Sequence, residues 1–350
     1  MKNFISDDKT LRDISQTGKE RPWRKHKLES LAVAKSMSLF EELQWISSKI
    51  KYCGCSLTFK SCPNGHGKKL CHANFCKGRG CILCNFRKSM ITYHQVLAIV
   101  HRHKEIYPTD IPLMLTLTVP NCSGDKLRFL IKKMSEAFKK LSERKFFKDA
   151  VRGWFRSLEV SLAKDKTYHP HYHILLMVPK KYFERNSGLY IDRDLILKAW
   201  QECMKDYSIT QVDIRRIKRR NKNGISDEAR LIGEVAKYAT KPSSYITKVS
   251  QDYYYADPKA VKDFHYALRG IRLLGFGGLF KKIRRELKQE DVEKSDLIKI
   301  STDEKPCFCD ICSSEMKEEI YMWGIGNLKD YVKQEDDLFI EGSLKALREA

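Results

Sequence analysis

Three histidines fall within five residues, His169-Pro170-His171-Tyr172-His173, just ahead of the apolar run Ile174-Leu175-Leu176-Met177-Val178. In an extended strand, side chains two apart point the same way. His169, His171 and His173 therefore project from one face, and Tyr172, Ile174 and Leu176 from the other. Neutral imidazole is the commonest protein ligand for divalent metals. The whole chain has ten His, so this concentration outweighs the bland alternative of a polar strand rich in His by chance. A second stripe reads as helix: in Ser226–Pro242, Glu234, Tyr238 and Lys241 sit at i, i+4 and i+7 with Lys237 beside them. An acid, a phenol and two ammoniums along one stripe need an explanation. Taken alone, a solvated face with a half-buried Tyr is the favoured one.

The third chemical cluster is cysteine. Cys53, Cys55, Cys62, Cys71, Cys76, Cys81 and Cys84, with His72, fall within about thirty residues and are interleaved with Gly. Such a run reads as a knob stabilised by structural Zn²⁺. The two-residue spacing of Cys81 and Cys84 lets both thiolates reach one ion, and Cys53 with Cys55 is a plausible second half. Spacing does not decide how Cys62, Cys71, His72 and Cys76 divide between one ion or two. Cys307, Cys309 and Cys312 form another close set, with no obvious fourth ligand nearby. The basic and aromatic residues of the knob (Lys68, Lys69, Phe75, Lys77, Arg79, Phe86, Arg87, Lys88) suit a nucleic-acid surface and a solvated rim about equally.

The elements that must position these groups follow from periodicity and breakers. Apolar positions predict helices over 28–50, 86–107, 125–147, 191–207 and 226–242. Pro242 stops the last helix and Ser226 is a credible N-cap. Strands are predicted over Leu113–Val119, Trp154–Leu162, the His-rich run and Ile209–Ile217. The second and third of these make a hairpin across Lys164-Asp165-Lys166. Residues 1–27 read as a flexible basic arm, and Arg215–Lys222 as a basic loop at a nucleic-acid surface or a solvated turn.

The chain has 350 residues and a net charge of +22. Residues 289–350 carry 8 Lys and Arg against 16 Asp and Glu, so the preceding 288 carry 58 against 28. A body this basic points to a polyanionic partner, above all nucleic acid. No apolar run approaches the ~20 residues of a membrane span, and no signal peptide is visible. The expected compartment is the cytoplasm, where clustered thiols bind metal more often than they form disulfides. Four segments are expected: a basic arm and helix (1–50), the Cys-rich zinc module (51–90), a catalytic domain (91–287) and an acidic segment (288–350).

With these motifs in view, the chain resembles the HUH endonuclease superfamily. Within it, the chain looks most like the plasmid rolling-circle replication initiators (Rep proteins) of the Gram-positive bacterial type. The resemblance rests on Leu115-Thr116-Leu117-Thr118, on His169–His173, and on Glu234-Val235-Ala236-Lys237-Tyr238-Ala239-Thr240-Lys241. Arg156-Ser157-Leu158-Glu159, Phe276-Gly277-Gly278 and the Cys76, Cys81, Cys84 run add to it. It covers roughly residues 50–285. It implies an α+β fold, a central antiparallel sheet with flanking helices, preceded here by the zinc module. It also implies that His171 and His173 hold a catalytic Mg²⁺ or Mn²⁺, with Glu159 as third ligand and His169 as its rival. Tyr238 would nick one strand of the origin, keeping the 5′ end as a phosphotyrosine and leaving a 3′-OH to prime synthesis. Glu234 would activate water for termination, and Lys237 and Lys241 would steady the charge. Implied partners are double-stranded origin DNA, single strands, a host helicase and other replication proteins, and a second copy of the chain. Another single-Tyr HUH enzyme (transposase or relaxase) is the nearest rival. A non-catalytic zinc-dependent DNA-binding protein is a more distant one, and a zinc hydrolase is disfavoured for want of an HExxH-like pattern.

Overall fold

The computed structural model describes residues 9–15, 18–216, 227–236, 242–298, 307–324 and 328–334. In chain order the elements are α1 (Trp23–Met37), α2 (Gln44–Lys51), β1 (Ser56–Ser61), β2 (Lys68–Ala73), α3 (Ile82–Ile106), β3 (Ile111–Thr118), α4 (Gly124–Glu143), α5 (Lys145–Ala150), β4 (Gly153–Leu162) and β5 (Tyr168–Val178). There follow α6 (Arg193–Met204), β6 (Val212–Arg216), α7 (Asp227–Val235), β7 (Ile246–Ser250), β8 (Tyr253–Ala256), α8 (Pro258–Leu268), β9 (Leu274–Gly278), α9 (Leu279–Glu286), β10 (Lys317–Trp323) and β11 (Tyr331–Lys333). The protein is a mixed α+β structure with antiparallel sheets. It divides into two units, one of residues 1–84, 248–255 and 295–350, the other of 85–247 and 256–294.

The first unit is built on a four-stranded sheet in the order β11-β10-β1-β2. β10 pairs antiparallel with β1 from Ser56↔Met322 to Ser61↔Lys317. Phe59, 1% exposed, meets Trp23 and Tyr321 edge-on at centroid distances of 5.8 and 5.9 Å. Parts of the expected zinc module (51–90) and acidic segment (288–350) thus share one sheet, in which β10 and β11 complete what β1 and β2 begin. Part of the expected flexible arm is also folded. Leu11 donates its N–H to the Tyr331 carbonyl, and the buried Trp23 indole donates to Asp13. The helix expected over 28–50 is two, broken where Phe40 is extended. They pack together, with the Ser47 hydroxyl donating to the Ala34 carbonyl. A helical period continues unchanged across such a break when both pieces bury the same side.

The second unit is built on a five-stranded antiparallel sheet in the order β6-β3-β5-β4-β9. One face carries Met114, Phe155, Leu175 and Met177, packed with Val96, Ile99 and Val100 of α3, Leu231, Ile232 and Val235 of α7, and Phe280 and Ile283 of α9. On the other face Phe138 of α4 meets Trp154 at 4.9 Å and Tyr172 at 5.9 Å between ring centroids. α4 is amphipathic, burying Leu127, Ile131, Met134, Phe138 and Leu141. The helix expected over 125–147 ends at Glu143, because Arg144 is extended.

Two glycines of the Phe276-Gly277-Gly278 motif have packing explanations. A Cβ on Gly277 would lie 2.1 Å from the Trp154 ring, and Gly278 has φ +55° with its Cβ position 2.3 Å from the Arg152 carbonyl oxygen. Edge strand β9 can therefore lie flush on β4 only without side chains there.

Candidate active site

The register of β4 on β5 decides what faces the histidines. Glu159 is directly opposite His171, and Ser157 opposite His173. Directly paired residues share a face, and diagonal neighbours are within reach of long side chains. The result is a compact group. His171 Nε2 and His173 Nε2 lie 3.1 Å apart, and the Glu159 carboxylate is 3.4 Å from His173 Nε2 and 4.0 Å from His171 Nε2. Glu159, His171 and His173 each offer one ligand atom, all within 4.8 Å of one another. Their side chains are 12–14% exposed.

The donor chemistry fits a divalent cation. Burial, reinforced by the neighbouring His173, lowers His171 to about 4, so it is neutral and its lone pair is free near pH 7. Its Nδ1 is turned towards the His169 carbonyl at 3.3 Å, the arrangement that leaves Nε2 for a metal. His169 is not part of the group. Its Nδ1 is 2.8 Å from Asn121 Oδ1, and its backbone carbonyl is what faces His171 Nδ1. Sequence reasoning did not single out Asn121, which lies in the Pro120-Asn121 turn after β3.

α7 packs on the face of β5 that carries the histidines, through Leu231, Ile232 and Val235 against Leu175 and Met177. Glu234 is exposed on this helix. The expected catalytic residues Lys237, Tyr238 and Lys241 lie outside the described residues, as do Lys218, Arg219, Arg220 and Lys222 of the basic cluster.

Of the eight expected zinc ligands, Cys53, Cys76, Cys81 and Cys84 converge in the first unit. Cys53 Sγ is 3.4 Å from Cys84 Sγ and 3.5 Å from Cys81 Sγ, and Cys76 Sγ is 3.7 Å from Cys84 Sγ. Cys81 and Cys84 bracket the start of α3, where the Leu83 N–H donates to Ser30 Oγ at 3.0 Å. Such a set could hold a metal ion such as zinc. Cys55, Cys71 and His72 join no ligand group. The Cys55 thiol accepts from buried Lys27 Nζ at 3.3 Å, Cys71 donates to the Lys69 carbonyl, and His72 is exposed. Cys62 lies apart, beside His66 and the distant Cys309 and Cys312. Cys307 of the expected C-terminal set is not in this group, and the two further candidate ligands, Cys62 and His66, come from 250 and 243 positions away.

Several basic residues of the knob also have acidic partners from the C-terminal segment. Lys68 pairs with Glu319, Lys77 with Asp296, and Lys69 with Asp310 at 2.9 Å. The acidic excess after residue 288 is in part the internal counter-charge of this hairpin. Among the described residues, no helix is long and apolar enough to cross a membrane.

A family profile described as "Replication protein" matches residues 67–332. A "Protein rep" from Lentilactobacillus hilgardii is 36% identical over 298 residues, 84% of this chain and 91% of the relative. Another from Streptococcus pneumoniae is 34% identical over 307 residues (87% and 91%), and one from Lactiplantibacillus plantarum 33% over 295 (83% and 90%). No solved structure matches the chain. With about three quarters of its length under one profile and close coverage of these relatives, the chain belongs to the replication protein family.

Proposed function

We propose that this chain is a plasmid replication initiator of the HUH type, which nicks one strand of its replication origin. The observation that carries the reading is the convergence of Glu159, His171 and His173 on one point of the β5 face, in a family of replication proteins. Mg²⁺ or Mn²⁺ held by those three residues would supply charge neutralisation at a phosphate oxygen. His171, held neutral by burial, would offer its lone pair, and Glu159 would contribute the compensating negative charge.

Tyr238 is the nucleophile. Its phenolic oxygen forms a bond to the scissile phosphorus as the bond to O3′ breaks. The phenol proton is lost to solvent base and the departing O3′ takes up a proton. The products are a 5′-phosphotyrosine and a 3′-OH that primes rolling-circle synthesis. Lys237 and Lys241 balance the developing negative charge. Glu234, one turn before Tyr238 in sequence, takes a proton from water in the step that ends replication. The four thiolates of Cys53, Cys76, Cys81 and Cys84 hold a structural zinc. The same proposal includes duplex origin and single-stranded DNA as ligands, helicase and self-association partners, and action in the cytoplasm.

The test is incubation of the full chain with Mn²⁺ and 5′- and 3′-labelled DNA carrying the origin of its own replicon. A covalent adduct on the 5′ side that disappears in Tyr238→Phe is expected. No adduct with the wild type, or an undiminished adduct with Tyr238→Phe, refutes the reading.

A further inference from the structure

The second Cys/His group joins two tight turns that are far apart in sequence. Cys62 follows the last residue of β1, and Cys62-Pro63-Asn64-Gly65-His66-Gly67 turns the chain into β2. The turn is closed by Gly65 N–H to the Cys62 carbonyl at 3.0 Å and Cys62 N–H to the Gly67 carbonyl at 3.1 Å. Gly65 and Gly67 have φ of +74° and +128°, which presents His66 back towards Cys62. The other turn is bracketed by the Phe308↔Glu315 bridge. There Cys309 N–H donates to the Ser314 carbonyl and Ser313 N–H to the Cys309 carbonyl, each at 2.9 Å. That turn carries Cys309 and Cys312 in a C-x-x-C spacing.

The four ligand atoms lie within 4.8 Å of one another. Cys62 Sγ is 3.5 Å from Cys312 Sγ and 3.7 Å from His66 Nδ1, and Cys309 Sγ is 3.8 Å from His66 Nδ1. Tetrahedral zinc with bonds of ~2.3 Å to sulfur and ~2.0–2.1 Å to nitrogen sets its ligand atoms about 3.5–3.8 Å apart. The neighbours fit a thiolate site: Asn64 Nδ2 donates to Cys312 Sγ at 3.4 Å and to Ser314 Oγ at 3.1 Å. Three free thiols and one imidazole at the edge of two turns would not need that arrangement. Cys307 is beside the group but turned to Met316 Sδ at 3.8 Å.

We propose that Cys62, His66, Cys309 and Cys312 hold a structural zinc ion that clasps the 307–316 turn onto the β1–β2 hairpin. The ion is a Cys₃His site, separate from the four-cysteine group, and the proposal does not depend on the nicking reading. Its binding free energy would offset the entropy cost of holding together positions 250 apart.

The test uses the full chain purified under reducing conditions, with zinc counted per chain. Cys309→Ser/Cys312→Ser is expected to carry one zinc fewer than wild type. On hydrogen exchange, the amides of Cys309, Ser313 and Met316 should lose protection in that variant. His66→Cys keeps the ion, so it tests the site even where the double variant misfolds. In the cobalt-substituted protein it should move the visible absorption to longer wavelength, as a fourth thiolate replaces the imidazole. An unchanged zinc count in the double variant, an unchanged cobalt spectrum in His66→Cys, or a Cys62–Cys312 disulfide in the purified wild type overturns the proposal.

Discussion

Glu159→Gln separates the role of the carboxylate charge from that of its shape. Glu159 faces His171 and His173 at 4.0 and 3.4 Å from a site only about one-eighth exposed. The amide keeps the size and one oxygen donor but removes the negative charge. A unit charge pair about 4 Å apart, at an effective dielectric near 20, is worth about 4 kcal/mol. Allowing for the retained oxygen and partial solvent access, the loss is about 2–4 kcal/mol, or roughly 30- to 1000-fold in metal affinity. The assay is origin nicking as a function of Mn²⁺ concentration, with isothermal titration of Mn²⁺ into the protein alongside. The half-saturating Mn²⁺ should rise by that factor, while much of the rate returns at saturating metal. A concentration dependence within about threefold of wild type would falsify the assignment of Glu159 as a ligand.

Three further outcomes follow from the same geometry. His173→Ala should abolish Mn²⁺-dependent nicking, whereas His169→Ala should cost no more than about 10–100-fold, because His169 supports a ligand rather than being one; equal losses would return His169 to the ligand set. In metal-free protein, His171 is depressed from 6.5 to about 4. The unfolded chain then binds its proton first as pH falls, so stability is full above pH 6.5 and is lost progressively down to pH 4. Urea unfolding at pH 7 and pH 5 should show roughly 2 kcal/mol of loss from this group, absent in His171→Gln; a variant with the same pH dependence contradicts the shift. Gly278→Ala combines φ +55° with a backbone clash and should lower stability by about 2–4 kcal/mol, read from the urea midpoint; a change under 0.5 kcal/mol would show that β9 can shift.

Three strands of the second unit were legible because they are rich in β-branched, aromatic and other apolar residues and end at a Pro or a charged turn, whereas β9 was not. Leu113–Val119, Trp154–Leu162 and the His-rich run each correspond to an observed strand within two residues. The choice between Glu159 and His169 was not legible, because it depends on cross-strand register. A slip of one residue on β4 would have put Glu159 on the opposite face. The cysteine knob was legible as a cluster but not as ligand sets. Cys53, Cys76, Cys81 and Cys84 are local, yet Cys62 and His66 find their partners 250 positions away. His66 did carry a signal, the C-x₃-H spacing between two glycines, with C-x-x-C at Cys309 and Cys312. The folding of residues 9–15 and 18–27 was hidden for the same reason: Leu11 and Trp23 are held by residues that local patterning cannot see.

β10 lies between β1 and β11, so half of that sheet is made late in synthesis. The 243 residues from 74 to 316 must leave the ribosome before β1 can meet its partner. At ~5–20 residues per second that is roughly 12–50 s, during which β1 has an unpaired edge. In this interval the second unit, encoded between the two halves, can already be complete. A nascent or prematurely terminated chain would thus have the five-stranded sheet of the second unit without the sheet that β10 and β11 close. The order of translation itself would then hold back full assembly until nearly the whole message has been read.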